Sequence, residues 1–357
     1  MTSPEGLLNG TSGRILHVGG SNLTLRDIAP SDRRAVLDLH TLVFGPDVDE
    51  RWFTWKYGQA PNQGQGQAVG VWCGGDLIAY CGGLPRTLWT NNSGLRALQI
   101  GDVMVHPAWR GILTRRGPFY HVSKGFYDSR LGAPPIHRFR LGYGFPSERH
   151  LRLAVLLGLL RDAGAIESLH WKTSSMPALH LPWYWHWKAL QPTDPSFDRD
   201  VNTAWMSMRK HAGSLTLGQR DADYFRWRYV ERPASAGTEP GAPPRYHFFA
   251  VRRLWSRTAS GVAVIDLRTD PAHWLDWVGP VHMMPLVSSA CRMEAALAGA
   301  SELMAWTSVT VGQKLTHTGI HRREVCSGLG IPTSSDLSPQ EIPGSRWWLM
   351  GGDTDFL

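Results

Sequence analysis

A basic, glycine-bounded turn between a strand and a helix is the part of this 357-residue chain best suited to chemistry. Gln99–Val105 reads as a strand. His106-Pro107-Ala108-Trp109-Arg110-Gly111-Ile112-Leu113-Thr114-Arg115-Arg116-Gly117 follows as a loop, and Pro118 opens a helix. Proline suits a first helical turn because the N–H it lacks would be unpaired there. Loop amides and a helix N-terminus together make an anion site. Arg110, Arg115 and Arg116 add positive charge, and a guanidinium fork can make paired hydrogen bonds to phosphate. A diphosphate-bearing ligand is the natural occupant; solvated arginines beside an ordinary helix start are the plain alternative.

Composition narrows the partners. The formal charge is +7, which favours anionic ligands, but the basic residues are scattered and no run of five or six Lys/Arg occurs. Nucleic-acid binding is therefore not expected from charge. Hydrophobic residues make up 42% of the chain, enough for sizeable cores, and the 17 Trp are spread along it as packing residues. Cys73, Cys81, Cys291 and Cys326 form no C-x-x-C pair, which suggests reduced thiols and a cytoplasmic protein. No export signal is read at Met1–Gly20, and the longest apolar run, Leu153–Leu160, is too short for a bilayer, so no membrane partner is expected. His317, His321 and Glu324 have helical spacing without an H-E-x-x-H pattern; a solvated helix face is expected there and no metal site.

The elements that must position the basic turn follow from periodicity. Leu23–Ile28 reads as a strand, and Asp32–Val43 and Glu50–Tyr57 as helices. Two strands, Ala68–Cys73 and Leu77–Gly83, flank a Gly-Gly-Asp turn, and Leu98–Val105 is a further strand. After the turn come a helix over Pro118–Ser129, a strand over Arg138–Tyr143 and a helix over Glu148–Leu159. This order predicts an α/β chain, with helices packed on a mixed sheet. Residues 1–21 read as a loose tail.

An internal repeat divides the chain. Phe53-Thr54-Trp55-Lys56-Tyr57 with Pro61 recurs as Phe225-Arg226-Trp227-Arg228-Tyr229 with Pro233. Each copy precedes a strand pair, the second being His247–Val251 with Gly261–Leu267. Tyr57 to Gly158 and Tyr229 to Gly330 span the same number of positions, and Leu157-Gly158-Leu159 and Leu329-Gly330-Ile331 are both expected as helix ends. Two copies of one fold explain this economically, with a boundary at the Gln191–Pro195 turn residues. Phe53, Trp55 and Tyr57 could wall an acceptor pocket, but core packing is the expected role.

The run Val105-His106-Pro107-Ala108-Trp109-Arg110-Gly111 before a helix resembles the signature of the GNAT superfamily of N-acyltransferases. Gly142–Arg149 and Leu157-Gly158-Leu159 are similar to that superfamily's fifth strand and fourth helix. The resemblance implies two GNAT-like domains, each a mixed, mostly antiparallel sheet flanked by helices: residues 22–192 binding acetyl-CoA or another acyl-CoA, and a degenerate copy at 193–357. It implies an N-acetyltransferase that passes an acyl group directly to the amine of a small molecule. The implied cofactor contacts are the backbone of Val103, Met104 and Val105, with Arg110, Gly111, Ile112, Arg115, Arg116 and Gly117. Asp102 is the first choice as base, followed by His106, Tyr143 and Glu148; a strand-end carboxylate paired with a neighbouring Arg is the competing reading of Asp102. Two departures stand out. The loop's usual small positions fall on Leu113 and Arg115, and Ala154 stands where many members carry a general-acid Tyr. The second copy has Trp274–Pro280 in place of the cofactor strand and no arginine-glycine loop after it. Alternatives from other classes are an inactive GNAT-like protein that binds CoA or a partner, and an aminoacyl-tRNA-dependent transferase. Oligomeric state is not legible.

Overall fold

The structure is a computed structural model describing residues 13–45, 48–60, 64–111, 116–174, 182–234, 244–337 and 346–354. In the first half, β1 (Arg14–Val18) and β2 (Ser21–Asp27) form a hairpin. Helices α1 (Arg33–Phe44) and α2 (Glu50–Tyr57) follow, then the short pair β3 (Gln59–Ala60) and β4 (Gly64–Gln65). β5 (Gln67–Cys73), β6 (Asp76–Thr90), β7 (Ser93–Val105), α3 (Pro118–Arg130), β8 (Leu141–Gly144), α4 (Glu148–Leu156) and β9 (Leu160–Lys172) complete it. The second half runs β10 (Trp185–Leu190), α5 (Phe197–His211), β11 (Thr216–Gly218) and α6 (Ala222–Phe225), which continues as a π-helical turn over Arg226–Val230. It ends with β12 (His247–Arg253), β13 (Gly261–Asp266), β14 (Ala272–Val278), α7 (Met284–Leu297), β15 (Glu302–Ser308), α8 (Val309–Lys314), β16 (Arg322–Pro332) and β17 (Trp347–Trp348).

One mixed sheet crosses the whole molecule in the order β1-β2-β5-β6-β7-β8-β16-β9-β15-β14-β13-β12-β10. Read from either end, its middle is the same. β7 lies parallel to β8 as β14 lies parallel to β15, and both neighbouring meanders are antiparallel. At the centre the halves trade their last strands: β16 pairs with β8, β9 pairs with β15, and β9 and β16 pair with each other. One apolar cluster joins the helices of the first half (Val36, Leu39, Tyr57) to the core of the second (Phe225, Trp274, Trp277). A second lies under α3, where Val122 and Phe126 meet Leu25, Val69, Ile78 and Leu98.

Several expectations need correction. Residues 14–18, placed in the loose tail, form β1, which turns through the positive-φ glycines Gly19 and Gly20 into β2. β6 and β7 extend well past the predicted ends and meet at Asn91-Asn92, both left-handed (φ 47° and 61°), the backbone a tight hairpin turn requires. Leu329-Gly330-Ile331 is not a helix end but lies inside β16, whereas Gly158 does follow α4 with φ 68°. The equal spacing was therefore coincidental, although the repeat itself is matched by the sheet. His321 and Glu324 are not on a helix: α8 ends at Lys314, His317 lies in a turn and Glu324 lies on β16. The Gln191–Pro195 turn joins β10 to α5, and β10 pairs with β12.

Candidate functional site

Sheet geometry opens a gap beside β7. β7 and β8 pair only from Ala97/Leu141 to Ile100/Gly144. Beyond that point β7 runs on to Val105, while the other chain leaves through Phe145 and Pro146 into α4, capped by the Ser147 side chain. On its other edge β7 is bulged: Tyr80 faces Met104 and Gly82 faces Gly101, so Asp102 and Val103 together oppose Cys81. Asp102 takes the left-handed φ of 51° that such a bulge requires, uncommon for a residue with a Cβ. Past the strand, the His106 ring nitrogen Nδ1 accepts from Ala108 N at 3.2 Å and shapes the turn, and Arg110 Nε donates to Val105 O at 2.9 Å. α3 then begins at an N-cap glycine, Gly117, which has no side chain to cap the first amides. A Cβ at Gly111 would meet nothing within 4 Å, and Arg116 lies over the Tyr120 ring. A helix start at a glycine N-cap, an open glycine and nearby guanidinium groups fit a phosphate-bearing ligand.

Asp102 is the centre of a buried cluster. Lys56 Nζ donates to its Oδ1 at 2.8 Å and Tyr57 OH to its Oδ2 at 2.5 Å. The Lys56 and Asp102 side chains are 3% and 10% exposed, and the Lys56 ammonium lies 4.8 Å from the Trp52 ring. Burial alone pushes the Asp102 carboxyl up; the Lys56 charge and the two hydrogen bonds outweigh it, so the carboxyl titrates below its ordinary range. Burial, with Asp102 next to it, pushes the Tyr57 phenol well up. Gly82 makes the approach possible, because a Cβ there would collide with the hydroxyls of Tyr57 and Tyr80.

Residues 24–128 match the family model for the acetyltransferase (GNAT) domain. The match lies within the first half of the chain. Solved structures share the wider fold. A GCN5-related N-acetyltransferase from Kribbella flavida is 13% identical with a TM-score of 0.59, over 87% of this chain and 70% of that one. A conserved protein of unknown function from Enterococcus faecalis V583 is 12% identical with a TM-score of 0.63, over 90% and 75%. Saccharomyces cerevisiae N-myristoyltransferase, solved with bound myristoyl-CoA and inhibitors, is 10% identical with a TM-score of 0.56, over 100% and 91%. Comparison with curated protein sequences gives no match.

The remaining residues singled out from sequence are scattered over the first half of the chain. Val103 is part of the bulge on β7, and Met104 and Val105 follow it. Ile112 and Arg115 lie outside the described residues, as does the altered loop position Leu113. His106 is spent on its turn. Tyr143 does not join Asp102: it is fully buried, packs 5.3 Å from the Trp347 ring and donates to Gln99 Oε1 at 3.4 Å. Glu148 is exposed in the first turn of α4, 3.6 Å from Arg152. Asp102 is paired, as the competing reading held, but with a lysine from the repeated motif and not an arginine.

That motif does more than pack, and sequence reasoning missed it. In the second half, Tyr229 OH donates to Asp276 Oδ2 on β14 at 3.0 Å, beside a bulge between Val264 and Ile265, just as Tyr57 serves Asp102. A glycine again makes room, because a Cβ at Gly352 would collide with the Tyr229 hydroxyl. The two copies touch through their tryptophans. Trp55 and Trp227 stack at 5.1 Å, Trp55 Nε1 donates to Trp227 O at 2.7 Å, and Trp227 Nε1 donates to Trp55 O at 3.1 Å. A local two-fold relation therefore runs between them. The signal was present in the conserved spacing of F-x-W-[KR]-Y, but nothing in sequence says which carboxylate each tyrosine meets.

Beside this contact lies a narrow cleft lined from both halves, including Lys56, Arg86, Gln99, Tyr224, Arg228 and Asp353. Its floor is a buried polar network. Arg220 Nε donates to Asp276 at 2.9 Å and its Nη2 to Asp353, and Arg228 binds the carbonyls of Gly352 and Thr354 at 3.0 and 2.8 Å. Gln99 Nε2 donates to Asp353 O at 2.7 Å, which links Tyr143 to the same network.

Proposed function

We propose that the chain is an acyl-CoA-dependent N-acyltransferase, using acetyl-CoA or another acyl-CoA and a small-molecule amine. The observation that carries this reading is the parting of β7 and β8 next to the Asp102–Val103 bulge, on the strand that leads to a helix with a glycine N-cap. The α3 N-terminus with Arg110, Gly111, Arg116 and Gly117 would hold the diphosphate, and the backbone of Val103, Met104 and Val105 would lie along the thioester arm. The bound thioester supplies an activated acyl group. The acceptor amine forms the new C–N bond as the C–S bond breaks; the thiolate takes up a proton, and the amine's proton leaves through water. Amides after the bulge are placed to polarise the carbonyl oxygen.

Asp102 acts in this scheme through position and not as the base. A base works best with a pKa near the working pH, and Lys56 and Tyr57 hold this carboxylate ionised and weakly basic. Its side chain is anchored twice, which pins the left-handed bulge. The division into two GNAT-like units is part of the same proposal, with the join in 173–184, between β9 and β10, and the second unit completing the acceptor cleft. Nothing of an arginine-glycine loop follows β14: α7 starts within Val281–Pro285, next to the strand.

Calorimetry with acetyl-CoA and thiol release over an amine panel test the reading. Arg110→Ala is expected to weaken CoA binding roughly tenfold, the size of one charged contact. Unchanged affinity would show that the diphosphate lies elsewhere. CoA binding without turnover of any amine would leave a binding protein and refute the enzyme.

A further inference from the structure

Two loops at one end of the sheet bring exposed aromatic rings together. Residues 182–184 lead into β10, the last strand of the sheet, and the turn after β12 carries Leu254 and Trp255. The antiparallel register sets Trp185 opposite Arg253, so both loops leave from the same end, and Leu254 N donates to Tyr184 O at 2.8 Å. Trp183 and Trp255 meet edge to face at 5.5 Å, and Tyr184 lies 5.8 Å from Trp183. Trp183 and Trp255 are each 74% exposed, and Tyr184 and Leu254 are exposed as well. One exposed apolar side chain is ordinary; several held on two neighbouring tips mark a contact surface. The charge around them has one sign. Arg253 and Arg257 flank Trp255 and are exposed, as are His186 and Lys188 on β10. Neither 182–190 nor 252–260 contains an Asp or Glu. Asp200 from α5 and Glu294 from α7 are engaged by Arg252 and by Trp187 Nε1.

From this geometry we infer that these two tips dock the protein on an anionic lipid surface, with Trp183, Trp255, Tyr184 and Leu254 seated among the headgroups and Arg253 and Arg257 facing lipid phosphates. Trp and Tyr are the side chains that settle at a membrane–water interface, because most of each ring system is apolar and its polar end makes a hydrogen bond. Basic residues beside them add attraction to an anionic leaflet. A second copy of this chain fits the patch less well. A two-fold contact through the tips would bring Arg253 and Arg257 towards their own copies, and no carboxylate in either loop would answer them. The expectation of no membrane partner came from the lack of a spanning segment. Among the described residues no helix is long and apolar enough to cross a bilayer, but docking on its surface requires none. The inference does not rest on the acyltransferase reading.

Vesicle flotation of the full chain tests the docking. Vesicles of equal parts phosphatidylglycerol and phosphatidylcholine are compared with pure phosphatidylcholine, at low and at high salt. The expected result is binding to the anionic vesicles about tenfold or more stronger than to the neutral ones, and weakened by salt. Trp183→Ala combined with Trp255→Ala, checked for folding by circular dichroism, is expected to weaken binding roughly tenfold or more. Arg253→Gln combined with Arg257→Gln is expected to weaken it to a similar degree, and on the anionic vesicles alone. Absence of flotation, equal recovery with both kinds of vesicle, or unchanged binding of the folded tryptophan variant would each overturn the inference. Light scattering of the free protein covers the other occupant. A dimer that the tryptophan variant dissolves, without vesicle binding by the wild type, would make the patch a self-interface and overturn the lipid reading.

Discussion

Lys56→Met isolates the electrostatics of the bulge. The substitution keeps an unbranched apolar stem beside Trp52 and removes the ammonium that lies 2.8 Å from Asp102. With both partners almost completely buried, deleting one leaves an uncompensated carboxylate, and such changes cost about 3–5 kcal/mol. The pH dependence is the sharper test. In the wild type the Asp102 carboxyl is held below its ordinary value, so its contribution to stability is fully present above that value. It is lost only as pH falls through the depressed folded value. In the variant the largest remaining influence is burial, which raises the folded pKa above the unfolded one. Its penalty is then fullest at neutral pH and is relieved as pH falls toward the ordinary carboxylate range. Each unit of elevation returns about 1.4 kcal/mol. Urea unfolding at pH 7.5 and pH 5 should therefore show a large deficit at the higher pH and a smaller one at the lower. Adding Asp102→Asn should recover stability relative to the sum of the single changes, because the neutral amide no longer needs a counter-ion. A deficit below about 1 kcal/mol, or one that does not change between pH 7.5 and 5, would refute the argument that this pair is buried and coupled.

Other consequences follow from the same contacts. Tyr57→Phe should cost about 1.5–3 kcal/mol by thermal unfolding, the size of a hydrogen bond to a charged group. Tyr229→Phe should cost less, because Asp276 keeps Arg220 and the Trp277 amide as donors. Trp55→Ala should remove a stacked aromatic pair and the hydrogen bond from Trp55 Nε1 to Trp227 O at the contact between the halves, at about 3–5 kcal/mol in chemical denaturation. Gly82→Ala should destabilise by at least about 1–3 kcal/mol, since the added methyl meets the hydroxyls of Tyr57 and Tyr80; a neutral effect by differential scanning calorimetry would contradict their placement.

Local chemistry was legible in the sequence and long-range pairing was not. Glu50–Tyr57 was bounded correctly because Asp49 caps it, accepting from Trp52 N, and Gly58 ends it. Pro118 marked the start of α3 for an equally local reason. The extension of β6 and β7 was missed although Asn91-Asn92 is a recognisable left-handed turn, because Leu84-Pro85-Arg86 reads poorly as a strand in isolation. Asp102 was singled out as a candidate base, but its partners lie 46 and 45 residues away on a motif read as packing. Residue type alone cannot separate a tyrosine that fills a core from one that also serves a buried carboxylate. Tyr143 failed in the opposite way: its place on β8 suggested chemistry, while its side chain faces Trp347.

The exchanged strands decide what kind of object the two halves make. If β9 and β16 each closed their own half, the halves could move apart and the cleft between them would vary in shape. Instead β16 lies against β8 and β9 against β15, so separating the halves would break main-chain ladders at the centre of the sheet and not only a side-chain interface. A cleft held that rigidly can keep charges in exact opposition. The two copies have used the same scaffold differently: where the first sets Lys56 and Tyr57 on Asp102, the second sets Tyr229 and Arg220 on Asp276 and turns Arg228 toward the carbonyls of Gly352 and Thr354. Tyr224, Arg228 and Asp353 from the second half and Lys56 and Arg86 from the first line one narrow cleft at this junction, so a change in either half alters the same buried polar network.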